Sequence, residues 1–275
     1  METAVAGLIQ IKNIELCADY DFVMPLEHMS ASEPSSKLKT VKASCQTCRL
    51  RDLCLPIGLA PDEIGKLDKL INRRQRVRTG QHIFRAGKPL HFLYAVRSGF
   101  FKAYEVSNDG IEQINGFYLG GELLGLDAIG SGSHQCSAVA LDDGEVCEIP
   151  FDALETLVRE IPTLQRQFHR ILSREITADH SIMKLLGSMS AEQKLAVFLT
   201  SLSARFNMLG YSPTSLFLKM SREEIGNYLG LTLETVSRTF RKLQDDGLLD
   251  VQRRHIQIRD LKALQQMTEI GHCNH

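Results

Sequence analysis

The chain has 275 residues, of which 43% are apolar and 24% charged, and its formal net charge is −1. These values are typical of a water-soluble protein with room for two domains, and they give no overall electrostatic attraction to nucleic acid, so any DNA binding must be local. The sequence has no apolar run of about 18 residues that could span a bilayer, and Met1–Gln10 lacks the basic start and apolar core of a signal peptide, which favours a cytoplasmic protein.

The first predicted segment, residues 1–42, includes a run rich in serine and proline at residues 30–36. This composition is typical of a flexible arm. We assign the arm no function.

Three cysteines follow in a predicted loop at residues 43–60, in the pattern C-x2-C-x5-C: Cys45, Cys48 and Cys54. The seven cysteines of a cytoplasmic chain are expected to be reduced thiols, and clustered thiolates select zinc, copper(I) or iron–sulfur centres. The spacing differs from both the bacterial and the plant ferredoxin patterns, so it leaves zinc and iron–sulfur open. Spacing also does not identify the fourth ligand of such a site; the candidates are Cys17, Cys136, Cys147, Cys273 and the nine histidines.

Residues 61–162 contain short runs of strand-forming residues, such as His91–Val96 and Phe100–Val106. Glycine-bearing turns separate these runs, for example at residues 107–110. Several short strands with frequent turns, from about Gly80 onward, predict a β-barrel or jelly roll.

Residues 163–187 are predicted to form one long helix, because neither glycine nor proline interrupts them before Gly187. Steps of three and four residues place six side chains on one stripe: Phe168, Leu172, Ile176, Asp179, Met183 and Leu186. The stripe either packs on the β-domain, with Asp179 at its edge in water, or forms a coiled-coil dimer interface. In a dimer the two copies of Asp179 would repel each other, which would leave the dimer poised near dissociation.

Residues 188–275 have the pattern of a winged helix-turn-helix domain. Ser221 and Glu224 can form a capping box, the first helix ends at Gly230, and Thr232 can cap a second helix. The second helix directs one set of side chains inward: Val236, Phe240 and Leu243.

The other face of the second helix is polar and carries Glu234, Ser237 and Arg238 near its N-terminus. Arginine can pair with guanine, glutamate can accept from the cytosine amino group, and serine is adaptable. This face is therefore predicted to contact base edges in the major groove. A hairpin predicted at residues 248–258 would form the wing, with Arg253 and Arg254 at its tip.

Enzyme motifs give no competing interpretation. The sequence contains no P-loop, no Gly-x-Ser-x-Gly elbow and no His-Glu-x-x-His pair. The chain is therefore predicted to be a binding protein without catalytic activity.

From about Cys45 to Gln265 the sequence resembles the FNR (fumarate and nitrate reductase regulator) branch of the cyclic-AMP receptor protein superfamily. The motifs that carry the resemblance occur in order: Cys-Gln-Thr-Cys-x5-Cys-Leu-Pro at 45–56, Leu-Tyr-Ala-Val-Arg-Ser-Gly at 93–99, Asp-Ala-Ile-Gly-Ser-Gly at 127–132, Val-Cys-Glu-Ile-Pro-Phe at 146–151, and Gly-Asn-Tyr-Leu-Gly-Leu-Thr-Leu-Glu-Thr-Val-Ser-Arg at 226–238. The resemblance implies an α+β fold with a β jelly roll of the cyclic-nucleotide-binding type, a long dimerisation helix and a C-terminal winged helix-turn-helix.

The resemblance also assigns roles to residues. It implies that Cys45, Cys48, Cys54 and Cys147 hold a [4Fe–4S] cluster, with Cys136 as a bystander. It places the recognition-helix residues at Glu234, Ser237 and Arg238, and the dimer switch at Ile176 and Asp179.

The function that the resemblance implies is oxygen-responsive regulation of transcription. An intact cluster at low oxygen would favour a homodimer that binds a palindromic promoter site with TTGA-type half-sites. Oxygen would convert the cluster and return the chain to a weakly binding monomer. RNA polymerase is the expected partner, and the turn at residues 107–111 is the nominated contact.

Alternatives within the same fold are a zinc clasp or a small effector. A cyclic nucleotide is disfavoured, because residues 124–137 contain no arginine to meet the phosphate and Gly121-Glu122 alone is a weak echo of the ribose-binding motif. A haem would need an axial histidine such as His82, His91 or His134, and most of these are expected at the surface.

Overall fold

A computed structural model describes residues 44–71 and 73–268. Within the long helix it does not describe the side chains of Asp179, residues 181–186 and Ser188. Three subjects of the sequence predictions lie outside the described residues: the arm 1–42, Cys17 and Cys273. None of the helices in the described ranges is long and apolar enough to cross a bilayer.

The cysteine loop leads directly into the first helix, α1 (Pro61–Leu70). Pro61 begins the helix, where its missing N–H costs nothing, and the Glu63 carboxylate accepts a hydrogen bond from the Ala60 backbone N–H at 2.8 Å. Ile64 and Leu67 turn inward and are buried.

Eight strands form two antiparallel four-stranded sheets that pack face to face. The strands are β1 (Arg73–Val77), β2 (His82–Phe84), β3 (Phe92–Ser98), β4 (Phe101–Val106), β5 (Glu112–Tyr118), β6 (Leu123–Leu124), β7 (Ser137–Ala140) and β8 (Gly144–Pro150). One sheet has the order β1-β8-β3-β6 and the other β2-β7-β4-β5. The predicted jelly roll is confirmed, although its first strand begins at Arg73, ahead of the predicted start near Gly80.

Two helices follow the β-domain, α2 (Phe151–Glu160) and α3 (Pro162–Ser188). The predicted long helix exists and continues through Gly187. The first part of its apolar stripe packs on the β-domain, since Phe168 is buried, whereas Ile176 is 56% exposed. Packing on the β-domain therefore accounts for the first part of the stripe, and the dimer-interface interpretation stays a prediction for the rest. The remaining stripe side chains, including that of Asp179, lie outside the described residues.

Up to residue 268, the C-terminal domain has four helices and a three-stranded sheet: α4 (Ala191–Met208), β9 (Ser215–Phe217), α5 (Arg222–Leu229), α6 (Leu233–Asp245), β10 (Leu249–Gln252), β11 (His255–Ile258) and α7 (Leu261–Gln266). The predicted caps form: Ser221 Oγ accepts from the Glu224 N–H at 3.0 Å, and Thr232 Oγ1 accepts from the Thr235 N–H at 3.2 Å. Gly230 ends α5 in the left-handed conformation, with φ 62°. The predicted helix pair and wing are confirmed.

Polar contacts hold the C-terminal domain against the β-domain. Arg205 on α4 donates two hydrogen bonds to the Glu122 carboxylate, at 2.9 and 2.6 Å, and a third to the Phe117 carbonyl oxygen at 2.6 Å. Asn227 on α5 accepts from the Ile114 N–H at 2.6 Å. Because these partners lie on β5 and the turn after it, the two domains meet along that edge of the β-domain.

Candidate functional sites

Four cysteines line one small cavity between the cysteine loop and the β-domain. Cys45, Cys48 and Cys54 come from the loop, and Cys147 comes from the middle of β8. The loop is a series of tight turns, with the Cys48 N–H donating to the Cys45 carbonyl oxygen at 3.2 Å. One loop and one strand therefore bring together cysteines that lie far apart in the chain. Most of the other side chains that line the cavity are apolar: Leu50, Leu55, Pro56, Ile71, Ala95 and Val96.

Helix α1 and a glycine turn fix the position of the loop. The Asp68 carboxylate accepts hydrogen bonds from the Cys45 backbone N–H and from Ser44 Oγ, the latter at 3.1 Å. Gly121 lies directly under the loop with φ +89°, and a Cβ there would stand 3.0 Å from Leu53 Cβ. The chain needs glycine at this position for its conformation and for the close approach.

Strand register places Cys147 beneath the loop. Cys147 lies directly opposite Ala95 of β3 on one side and Arg74 of β1 on the other. Directly opposed residues in antiparallel strands point to the same face of the sheet, so all three side chains face the loop. Alanine at this point leaves space above the sheet beside the thiol.

Burial favours the protonated thiols of Cys45, Cys54 and Cys147 when no metal is bound. It raises the pKa of Cys54 to about 12 and also raises the pKa of Cys45 and Cys147. The thiols also raise one another's pKa: Cys54 responds to Cys48 and Cys147, and Cys45 responds to Cys54 and Cys147. Since metal binding requires thiolates, loading this site would release protons.

The four thiols could bind either a single metal ion or an iron–sulfur cluster. In the described ranges no three histidine, cysteine, aspartate or glutamate side chains converge closely enough to hold one ion. Cysteine thiolates are the usual ligands of [4Fe–4S] clusters, in which each thiolate binds a different iron, so this donor set fits a cluster.

Two arginines that the sequence predictions missed border the same thiols. Arg97 Nη1 donates to Cys48 Sγ at 3.9 Å, and Arg97 Nε lies 3.5 Å from the Glu145 carboxylate. Arg74 and Arg97 both act to lower the pKa of Cys147, against the larger effect of burial. The sequence does not show that either residue lies near the cysteines, although Arg97 is part of the motif at 93–99, because the approach depends on strand register.

The spare cysteine and the histidines lie elsewhere. Cys136 is buried between the two sheets, next to Asp127, and no described histidine lines the cysteine cavity. His82 Nε2 lies 2.8 Å from the Tyr104 hydroxyl. His134 differs from the expectation that most of these histidines lie at the surface. It is 3% exposed and stacks on Phe84 with ring centroids 3.8 Å apart.

Glu122 is the one residue of this chain that echoes a ribose-binding glutamate. Its carboxylate is already occupied by the ion pair with Arg205 and also accepts the Leu119 N–H at 2.9 Å. These contacts add to the lack of an arginine in residues 124–137, and both weigh against a cyclic nucleotide.

The candidate DNA-binding face lies on α6. Glu234, Ser237 and Arg238 are exposed side by side, while Val236 and Phe240 are buried on the opposite side. This is the geometry of a recognition helix whose polar face is open to solvent.

A third arginine missed by the sequence predictions, Arg222, ties α5 to this helix. Its guanidinium carbon lies 3.3 Å from the centre of the Phe240 ring, and it donates to the Arg253 carbonyl oxygen at the wing tip at 3.3 Å. Desolvation lowers the pKa of Arg222 to about 10. The stacked cation fixes α5, α6 and the wing relative to one another.

Comparisons with known proteins agree with this architecture. Residues 74–160 match the cyclic nucleotide-binding domain, and residues 193–267 match the Crp-like helix-turn-helix domain. The transcriptional regulatory protein btr of Bordetella pertussis is 45% identical over 231 residues, which cover 84% of this chain and 96% of that one. The fumarate and nitrate reduction regulatory protein of Escherichia coli K12 is 45% identical over 228 residues, covering 83% and 90%. The solved structure of FixK2 from Bradyrhizobium japonicum has 30% identity and a TM-score of 0.66, and covers 72% of this chain and 98% of that one.

Proposed function

The chain belongs to the Crp/FNR family of transcription regulators and is a DNA-binding regulator, not an enzyme; from that premise we propose that a [4Fe–4S] cluster on four cysteines makes its DNA binding oxygen-responsive. The observation that carries the proposal is the shared cavity of Cys45, Cys48, Cys54 and Cys147. A cluster bound there would supply a centre that oxygen can convert and destroy. The expected compartment is the cytoplasm.

The route from the cysteines to the rest of the molecule runs through the start of α3. Gln167 is buried on α3, and its Nε2 donates to the Cys54 carbonyl oxygen at 3.5 Å. Leu55, next to Cys54, is fully buried in the same apolar core as Phe168 and Ile171 of this helix. A change at Cys54 therefore acts on the first turns of α3 directly, without an intermediate element.

Cluster binding and dimerisation would be linked if the cluster binds the dimer more tightly than the monomer. If the loop holds its bound position only in the dimer, ligand binding shifts the population toward the dimer. Ile176 and Asp179 would form the switch: exposed Ile176 would gain a partner, and the gain would offset the repulsion between the two Asp179 carboxylates. Dimerisation would set the two recognition helices about 34 Å apart, which matches a palindrome read by Glu234, Ser237 and Arg238.

RNA polymerase is the proposed protein partner, through the turn at residues 107–111. Ser107 Oγ accepts from the Ile111 N–H at 3.2 Å, which orders the turn. Val106 and Ile111 are 56% and 66% exposed at its base, and exposed apolar side chains of this kind are common at protein contacts.

Substitution of single cysteines tests the ligand set. Cys147→Ser should lose most of the iron and sulfide of protein purified without oxygen and should not bind a palindromic site tightly, because the β8 ligand is gone. Cys136→Ser is the matched control, since that thiol lies outside the cavity, and it should keep both properties.

Two results would contradict the proposal. A Cys147→Ser chain with full iron and wild-type DNA binding would remove Cys147 from the ligand set. A colourless wild-type chain with one zinc would make the cysteines a structural clasp.

A further inference from the structure

Two arginines of the sheet lie near the four cysteines: Arg97 lines their cavity, and Arg74 lies beside the thiol of the sheet. Arg74 lies opposite Cys147 in the β1–β8 pair, and Arg97 is part of the cavity wall and contacts Cys48. Their positions follow from two different strands, so the cavity has a guanidinium beside a thiol of the loop and another beside the thiol of the sheet.

The two arginines differ in how they are held. Glu145 bridges Arg97 and Arg76, with Oε2 3.5 Å from Arg97 Nε and Oε1 3.2 Å from Arg76 Nε. The ion pair with Glu145 holds the Arg97 guanidinium against the cysteine loop. Among the described residues Arg74 forms no ion pair, and its Nε is buried without a hydrogen-bond partner.

A buried N–H without an acceptor carries a desolvation cost, so its persistence needs an explanation. Arg74 lies opposite Cys147 in the β1–β8 pair, so the Cys147 thiolate would provide a sulfur acceptor for the Arg74 Nε–H group. Four thiolates would also bring net negative charge into a largely apolar cavity, which is costly unless cations stand nearby.

We propose that Arg74 and Arg97 are positioning residues of the cluster: their charge and N–H groups offset the negative charge of the four thiolates and raise the cluster's reduction potential. This inference rests on the proposed function. Net charge and hydrogen bonds to sulfur are among the factors that set the potentials of iron–sulfur clusters. Positive charge favours the reduced, more negative state, so removing it lowers the potential.

The test compares glutamine and lysine variants of the full chain, purified without oxygen. Arg74→Gln and Arg97→Gln should each weaken the binding of the reduced cluster relative to the oxidised cluster about tenfold. This lowers the reduction potential of the cluster by about 59 mV for a one-electron couple. Arg74→Lys and Arg97→Lys keep the charge and should recover most of that shift. Arg73→Gln is the matched control, because Arg73 is on the same strand, is exposed and pairs with Glu148 on the other face.

The measurements are the electrochemical potential, iron per chain and thermal unfolding. Glutamine variants that fold but retain little iron, with lysine variants that retain it, would support the same role. Potentials equal to wild type in fully loaded glutamine variants would overturn it, as would equal loss of iron in the lysine and glutamine variants. A wild-type chain that takes up no cluster would instead refute the proposed function, which separates the two failures.

Discussion

The proposed role of Arg238 depends on its own side chain. It is exposed on α6 beside Glu234 and Ser237, and the helix is anchored from behind by buried Val236 and Phe240. A guanidinium in this position can make the bidentate contact with guanine that gives arginine its place in base recognition.

Arg238→Ala should weaken binding to the palindromic site by about 1–3 kcal/mol, or roughly 5- to 150-fold, because a bidentate base contact is lost. Binding to a duplex of unrelated sequence should change much less. Fluorescence anisotropy at one fixed salt concentration measures both. An equal loss on the two duplexes would make Arg238 a phosphate contact instead.

Residues are predictable from sequence when their partners are local. Cys45, Cys48 and Cys54 stand out by spacing alone, and Ser221 and Thr232 by their place before helices. The fourth cysteine came only from the family resemblance, because its approach to the loop is set by the pairing of β8 with β1 and β3. The same reason hid two partners of the site, Arg74 and Gln167.

The close approach of α5 to the turn before α6 determines the shape of the DNA-binding unit. Gly226 lies on α5 where a Cβ would stand 2.5 Å from the Leu231 carbonyl oxygen. The Leu231 N–H donates to the Gly226 carbonyl oxygen at 2.8 Å, so the backbone of the turn rests on the helix at this point. Glycine is needed for contact, not for flexibility.

Gly226→Ala should destabilise the chain by roughly 1–3 kcal/mol and reduce DNA affinity, because the helix pair must move apart. Gly187→Ala is the control: no described atom lies within 4 Å of its would-be Cβ, and alanine should stabilise that helical position by about 0.5–1 kcal/mol. Urea unfolding gives both values. Equal stability of the two variants would refute the close-contact account.

The sequence predicts helices and strands whose ends are marked by capping residues or turns. It does not predict strands that form only because they pair with another strand. The α5–α6 pair and the wing carry caps, a glycine turn and strand alternation within some forty residues of sequence, and residues 193–267 match the corresponding domain family. The sequence predicts strands only from about Gly80 onward and misses β1, because Arg73–Val77 has four polar residues and resembles a surface segment. Its pairing with β8 supplies the strand.

Helix α3 joins the region of the cysteine loop to the residues that we propose as the dimer switch. Its first turns pack under the cysteine loop, and its exposed Ile176 follows further along the helix. The sequence predicted the stripe but not which part of it is buried, because both a core and a dimer interface require apolar residues at the same spacing.

Asp179→Ala should increase the dimer fraction in air, because the repulsion between the two carboxylates disappears. Sedimentation velocity of wild type and variant at equal concentration measures the effect. Asp152→Ala on α2 removes the same charge from an exposed site away from the stripe and should leave the monomer fraction unchanged. No change in sedimentation for Asp179→Ala would exclude that residue from the switch.

The most direct test of the account is to titrate one oxygen-free sample with a palindromic duplex, to count its iron and sulfide, and to repeat both after air is admitted. We expect about four irons and four sulfides per chain before air, with tight binding, and loss of binding in step with loss of the cluster. Tight binding that persists after the iron has gone would contradict the claim that the four cysteines control DNA binding through a cluster.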